Sequence, residues 1–140
     1  MSHKLFERAL HDNTFEIEMA NVARVAGKAF APPFIDCTDC VVRSTRGIPI
    51  AQLFTASMDE RDGIKLVVAV FRLIANLHAH GFVHFDAKLD NIILISGHRP
   101  GASNLTFVGG WKCHVCFIDF ETLFSLHCGT CPLYVVAYNN

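Results

Sequence analysis

Residues 58–80 carry the clearest pattern of hydrophobic and polar positions in the chain. Apolar side chains recur there three and four positions apart, which predicts a helix. Ser57 and Glu60 have the spacing of a capping box, so we expect the helix to begin beside them. Only a narrow polar stripe separates the apolar positions, which predicts a helix buried on most of its sides. One apolar face comprises Ile64, Val67, Val68, Phe71, Ile74 and Ala75, and the positions that widen it are Leu66, Val70, Leu73 and Leu77.

A shorter amphipathic helix is predicted near the start of the chain. Asn13 or Thr14 can cap it, and its apolar side chains again recur at helical spacing. Gly27 is a natural stop, because glycine readily adopts the left-handed conformation found just beyond many helix ends. Residues 3–6, ahead of this helix, are short and extended in character.

Short apolar segments predict strands between and after the two helices. Residues 34–36 and 41–42 flank a turn at 37–40 and predict a strand pair. Residues 92–95 and 115–118 predict a second pair, joined by a long hairpin connection rich in glycine, serine, asparagine and proline. Helices mixed with paired strands indicate the α+β class.

Length, composition and charge restrict the class of protein. The 140 residues, 51% of them hydrophobic, suffice for one domain with its own core, so we expect a single domain over 1–140. A formal net charge of −1 gives no long-range attraction to nucleic acid or to an anionic membrane. No basic segment leads into an apolar stretch at the N-terminus, and Lys65 and Arg72 interrupt the longest apolar run. We therefore expect a cytoplasmic (intracellular) protein with no nucleic-acid partner and no membrane.

Five polar residues have the chemistry that phosphoryl transfer requires. They are His84, Asp86, Lys88, Asn91 and Asp119. The reaction needs a group that orients the attacking hydroxyl, a cation near the transferred phosphate, and oxygen ligands for magnesium. Asp86 and Asn91 are five positions apart on a predicted loop, so both side chains can face one cleft. An ordinary polar loop that used these residues only as caps would leave Asp119 unexplained.

The same residues resemble the signature of the protein-kinase-like superfamily, which includes protein kinases and aminoglycoside phosphotransferases. His84-Phe85-Asp86 stands where the family has His-Arg-Asp. Lys88 and Asn91 match the later positions of H-R-D-L-K-x-x-N. Asp119-Phe120-Glu121 stands where kinases have Asp-Phe-Gly.

The resemblance implies a minimal or truncated kinase-like fold, because 140 residues are well short of a typical two-lobed kinase. Residues 1–46 would form a reduced N-lobe and hinge, and residues 47–140 a partial C-lobe with the catalytic loop. The resemblance implies that the hinge between the lobes lies at 43–47. The chain ends 19 residues after Glu121, without an A-P-E motif or the later helices that normally bind protein substrates. A protein partner that completes the fold is therefore expected.

The resemblance also implies a role for each matching residue in an ATP-dependent phosphotransferase that moves the γ-phosphate to a hydroxyl. Asp86 would orient the acceptor hydroxyl, and Lys88 would stabilise the negative charge of the transferred phosphate. His84 would support the loop from the interior of the domain. Asn91 and Asp119 would hold Mg²⁺ against the nucleotide. The acceptor hydroxyl would belong to a protein, a small molecule or the chain itself.

Residues near the N-terminus are candidates for the ion pair that positions the ATP phosphates in this family. Lys4 and Glu18 occupy comparable places, and Glu16 is the other candidate carboxylate. No glycine-rich loop precedes Lys4, so nucleotide binding should be weakened. Phe85 stands where many protein kinases have an arginine that binds the phosphorylated activation loop. Glu121 stands where protein kinases have the glycine of Asp-Phe-Gly, as in the aminoglycoside-phosphotransferase branch.

Two other interpretations remain open. The first is a catalytically weak pseudokinase, or a truncated kinase remnant, that acts as an interaction module. The second is a protein that binds Zn²⁺ through C-x-x-C pairs, the last two of which have the spacing C-x2-C-x11-C-x2-C. Against zinc, residues 113–118 have the pattern of a strand, and Cys113 and Cys116, three positions apart on it, would point to opposite faces. The pairs are Cys37 with Cys40, Cys113 with Cys116, and Cys128 with Cys131.

Overall fold

The computed structural model describes residues 2–5, 14–38, 41–54 and 58–126, with side chains from residue 16 onward except for 34–42. Within these residues, two α-helices are combined with nine strands that form three antiparallel sheets. The predicted α+β class is therefore confirmed. No helix in the described part of the chain is long and apolar enough to cross a membrane.

The first helix, α1 (Thr14–Val25), confirms the shorter predicted helix. Gly27 follows it with a φ of 81°, a conformation that glycine adopts without steric cost. The predicted alternative cap, Asn13, lies outside the described residues. The inward face of α1 carries Val25 together with two buried polar side chains, Glu18 and Asn21.

The first sheet confirms that the segments at 34–36 and 41–42 belong to two paired strands, but in a different register: Phe34 and Asp36 lie opposite Ser44 and Arg43. Pairing continues to Thr38 opposite Val41, so the second strand extends into the predicted turn at 37–40. The third strand likewise extends to Ser44, so the predicted hinge at 43–47 begins inside a strand. The strands are β1 (Ser2–Leu5), β2 (Phe34–Thr38) and β3 (Val41–Ser44), in the order β1–β3–β2.

The second sheet supplies much of the core. Its strands are β4 (Ile48–Pro49), β6 (Ile92–Ser96), β7 (Ser103–Thr106) and β8 (Lys112–Phe117), in the order β4–β6–β8–β7. The predicted pairing of the two apolar strands is confirmed, with Ile92 opposite Phe117. The strand β7 was not predicted, because its sequence, Ser-Asn-Leu-Thr, has only one strongly apolar residue.

The third sheet is a pair of short strands, β5 (Phe82–His84) and β9 (Leu123–Ser125). His84 lies opposite Leu123. The residues that follow β5 and those that precede β9 therefore lie side by side, although they are distant in the sequence. This pairing brings the loop after His84 next to Asp119.

The long helix, α2 (Glu60–Ala79), confirms the predicted helix over 58–80. The predicted capping box was wrong, because Glu60 is already the first helical residue and Asp59 holds the cap position. The Asp59 side chain accepts hydrogen bonds from two backbone N–H groups of the first turn, at 2.9 and 3.3 Å. Ser57 lies outside the described residues.

One face of α2 is buried, which corrects the prediction of a helix buried on most sides. The buried side chains are Leu66, Ala69, Leu73 and Leu77. This face packs toward β5, β7 and β8, and the opposite face is open to solvent. The exposed apolar side chains, with their exposed fractions, are Ile64 (58%), Val67 (42%), Val68 (41%) and Phe71 (69%).

Candidate functional site

His84 ends β5 and is buried beneath the loop that follows it. Its Nε2 lies 2.9 Å from the carbonyl oxygen of Ile118, and its Nδ1 lies 3.2 Å from the backbone nitrogen of Asp86. A carbonyl needs a donor and an N–H needs an acceptor, so these partners select the tautomer that carries its proton on Nε2. The ring also stacks on Phe117, with the centroids 5.1 Å apart. His84 thus joins the loop to the segment that leads into Asp119.

Asn91 fixes the conformation of the same loop from its far end. Its Nδ2 donates to the carbonyl oxygen of Asp86 at 2.8 Å and to Oδ2 of Asp86 at 3.0 Å. Because both partners are oxygen atoms, the amide nitrogen must face them, and Oδ1 of Asn91 is turned the other way. The carboxylate of Asp86 is held in one orientation. Within the described residues, its Oδ1 atom has no hydrogen-bond partner.

Lys88 lies at the exposed rim of the loop. Its Nζ is 3.9 Å from Oδ2 of Asp86, and the two side chains are 59% and 43% exposed. An ion pair so open to water contributes less than about 1 kcal/mol. The ammonium group can therefore turn toward an anion that approaches Asp86.

A backbone hydrogen bond joins this loop to the segment that contains Asp119. The N–H of Ile118 donates to the carbonyl of Asn91 at 2.9 Å, so Asp119 follows directly after this contact. Asp119 has a φ of 68°, the only positive value at a non-glycine position among the described residues. This conformation costs on the order of 1 kcal/mol, and such strain is found where a side chain must be aimed.

Asn21 attaches α1 to the segment that follows Asp119, a role that the sequence did not reveal. Its buried Nδ2 donates to the carbonyl of Phe120 at 2.6 Å and lies 3.4 Å from that of Leu123. Arg24 in turn donates to Oδ1 of Asn21 at 3.0 Å. No local pattern singled out Asn21, because Glu18 makes the same helix face polar, and the partners that a buried amide requires lie here on a distant segment.

Glu18 on α1 and the nearby pair Asp119 and Glu121 form an acidic centre. Their carboxylate oxygens all lie within 4.8 Å of one another. Glu18 is only 2% exposed, and the other two are partly buried. Negative charges this close repel unless protons or cations compensate them. Carboxylate oxygens are the ligands that Mg²⁺ prefers in proteins. Glu121 was not predicted as a ligand, although it lies two positions after Asp119.

The predicted site residues fall into two adjoining groups. The loop group contains His84, Asp86, Lys88 and Asn91, and the acidic centre contains Glu18 and Asp119. Glu16, the alternative to Glu18, is exposed and is not part of the acidic centre. Lys4 lies on β1, and its side chain lies outside the described part of the chain.

Cys113 and Cys116 are buried free thiols on β8. Cys113 packs in the main core, whereas Cys116 packs with Ile93 and Ile95 on the other face of the sheet. Burial, assisted by the negative charge of Asp62, raises the pKa of the Cys113 thiol to about 11, and burial raises the pKa of Cys116 to about 12. The two sulfur atoms do not converge on one ion in this arrangement. The side chains of the other four cysteines lie outside the described residues.

No protein-family model matches the chain, and no curated protein matches it. The function is therefore inferred from the contacts, burial and charges of the site itself.

Proposed function

We propose that the chain is an ATP-dependent phosphotransferase of the protein-kinase-like type, which uses Mg²⁺ to transfer the γ-phosphate to a hydroxyl acceptor. The corresponding fold is a minimal kinase-like one. In it, α1 and the sheet β1–β3–β2 would form a reduced N-lobe. The helix α2 and the strands after it would form part of a C-lobe.

The convergence of Glu18, Asp119 and Glu121 carries this proposal. Glu18 comes from α1, far from the other two in sequence, yet all three carboxylates meet beside the loop in which Asn91 holds Asp86. A loop that served only to cap a turn would not need an acidic centre built from a distant helix. A cation-dependent reaction on an anionic substrate accounts for both groups together.

The orientation of Asp86 suits the acceptor side of the reaction. Its Oδ2 is occupied by Asn91, so Oδ1 is the atom that would accept a hydrogen bond from the acceptor hydroxyl. Its backbone N–H is anchored on His84, which limits movement of the carboxylate. Asp86 would orient the hydroxyl for in-line attack and would take its proton as the new oxygen–phosphorus bond forms and ADP leaves.

The donor side of the site fits a magnesium–nucleotide complex in its chemistry. Oδ1 of Asn91 points away from Asp86, and Asp119 and Glu121 supply further hard oxygen ligands. These are the residues that would hold the ion, and Lys88 would turn toward the phosphate. When bound, Mg²⁺ would offset negative charge on the phosphates.

Transfer of labelled phosphate from [γ-³²P]ATP tests the proposal, with casein and a set of small alcohols as acceptors. We expect magnesium-dependent transfer by the wild type. Asp86→Asn and Asp119→Asn should each lower the rate by a factor of about 100 or more, because each removes a group that acts on the reacting atoms. Asparagine tolerates the left-handed conformation of residue 119, so the second variant should fold.

Asp90→Asn is the matched control, because Asp90 is an exposed carboxylate in the same loop. Its rate should stay within about twofold of the wild type. No transfer above background to any acceptor at saturating ATP would count against the proposal, and so would equal losses in Asp90→Asn and Asp86→Asn.

A further inference from the structure

An apolar stripe on α2, formed by Ile64, Val67, Val68 and Phe71, is open to solvent. The members follow one another by three, one and three positions, so they lie on one side of the helix. Together with Phe54, which is 39% exposed, they present on the order of 500 Å² of apolar surface. Patches of that size on a soluble domain commonly mark sites of interaction.

A groove runs along one edge of the stripe. Its volume is about 510 Å³, and its lining includes the apolar residues Phe54, Met58, Ile64 and Val67 and the acidic residues Asp59 and Glu60. Gly63 leaves a notch in its floor, because a Cβ atom added there would meet only the sulfur of Met58, at 3.7 Å. The groove can therefore accept large apolar side chains from a partner without rearrangement of the backbone.

The charges beside the stripe are positive on one flank. Arg61, Lys65 and Arg72 lie on that flank, at positions separated by four and seven residues. Lys65 donates to the carbonyl of Thr106 at 2.9 Å, which leaves its charge uncompensated. Neither Arg61 nor Arg72 forms an ion pair with another described residue. A partner that covers the stripe would therefore gain from negative charges along the adjoining edge.

A second copy of the chain fits this surface poorly. Antiparallel pairing of two stripes would bring the two basic flanks to the same side, where like charges repel. Parallel pairing would separate the two basic flanks, but the acidic residues of α2, Glu60 and Asp62, both lie in its first turn, so Arg72 would meet no negative charge on the other copy. The charges thus favour a different molecule as the occupant.

We propose that the α2 stripe and its groove bind an amphipathic helix of a partner protein, with apolar residues at helical spacing and an acidic flank. Large apolar side chains of that helix would enter the groove beside Gly63, and its carboxylates would face Arg61 and Arg72. The surface lies outside the candidate phosphotransfer site, so this inference does not depend on the proposed function.

Two synthetic helical peptides test the proposal by fluorescence anisotropy with the full chain. Both have the 20-residue length of α2 and the same leucine stripe, but one carries glutamates on its flank and the other lysines. At low salt the glutamate peptide should bind at least about tenfold more tightly, and the preference should shrink in 0.5 M NaCl. Arg61→Glu combined with Arg72→Glu should abolish the preference.

Variants of the stripe locate the binding. Phe71→Asp should weaken binding of the glutamate peptide by at least about tenfold, and Gly63→Leu, which fills the notch without adding charge, should also weaken it. Val108→Asp is the matched control, because Val108 is 58% exposed and lies outside the stripe. Its affinity should stay within about twofold, and circular dichroism should report unchanged folding in all variants.

Equal affinity for the two peptides, or binding that survives both Phe71→Asp and Gly63→Leu, would overturn the proposal. A concentration-dependent dimer of the wild type that disappears in Phe71→Asp would also overturn it, in favour of a second copy as the occupant. Sedimentation velocity on the same samples distinguishes that case.

Discussion

Removal of the Asn91 amide tests the central contact of the loop. Its Nδ2 makes two hydrogen bonds to Asp86, one to the backbone carbonyl at 2.8 Å and one to the carboxylate at 3.0 Å. A hydrogen bond to a neutral group contributes about 1 kcal/mol, and one to a charged group about 1.5–3 kcal/mol when buried. Because the Asp86 side chain is 43% exposed, we reduce the second contribution to about 1 kcal/mol. Asn91→Ala should therefore lower the free energy of unfolding by about 2 kcal/mol.

A double-mutant cycle separates the two contributions. The free energy of unfolding is measured by urea titration, with the fluorescence of Trp111, the single tryptophan, as the signal. The interaction energy between Asn91→Ala and Asp86→Ala should be about 1 kcal/mol, since only the carboxylate contact is shared. The control cycle pairs Asp86→Ala with Asn76→Ala on α2, which should be additive within about 0.4 kcal/mol. An interaction energy below about 0.4 kcal/mol between Asn91→Ala and Asp86→Ala would mean that the Asn91 amide does not hold the Asp86 carboxylate. The orientation deduced for both side chains would then be refuted.

Three further predictions concern the surrounding fold. Burial lowers the pKa of His114 despite its hydrogen bond to a carbonyl, so the unfolded chain takes up the proton first. The free energy of unfolding should therefore fall as the pH drops below 6.5. His114→Asn, which keeps an amide donor in place, should flatten that pH dependence in urea titrations at pH values from about 7.5 to about 5.5. Cys113 and Cys116 should resist iodoacetamide at neutral pH until the protein unfolds, as measured by peptide mass mapping, and rapid labelling of either thiol in the native state would contradict their burial. Gly47→Ala should lower the free energy of unfolding by about 1–3 kcal/mol in urea, because the new Cβ would lie 2.8 Å from the carbonyl oxygen of Leu94, and an unchanged midpoint would contradict this close packing.

The helices and the main strand pair could be predicted because the signals are local. The spacing of apolar residues predicted the shorter helix, and Gly27 predicted where it ends. The apolar strands at 92–95 and 115–118 pair as expected. The predicted start of α2 was wrong, because the sequence allows two different caps. One is a capping box made by Ser57 and Glu60, and the other is Asp59 by itself. Only the folded chain distinguishes them.

Burial of α2 could not be predicted from its periodicity. The helix has two apolar faces, one through Leu66 and Leu73 and one through Val67 and Phe71, and both satisfy the helical pattern. Which face is covered depends on where the sheets pack, which is a long-range property. The face that the pattern emphasised is the exposed one.

The candidate site was predictable only in part for the same reason. Loop residues such as Asp86 and Asn91 lie close in sequence, so their spacing indicated a shared cleft. Asn21 and Glu121 enter the site through contacts between α1 and the segment after Asp119, and no local pattern specifies those contacts.

Magnesium-dependent binding of ATP tests the central claim most directly. Isothermal titration calorimetry of the full chain, with and without Mg²⁺, should give a dissociation constant below about 1 mM for the wild type with magnesium. Chelation of the metal or the substitution Asp119→Asn should weaken binding by about tenfold or more, while Asp90→Asn should not. A wild type that fails to bind ATP at millimolar concentration, or that binds it equally well without magnesium and without Asp119, would contradict the account.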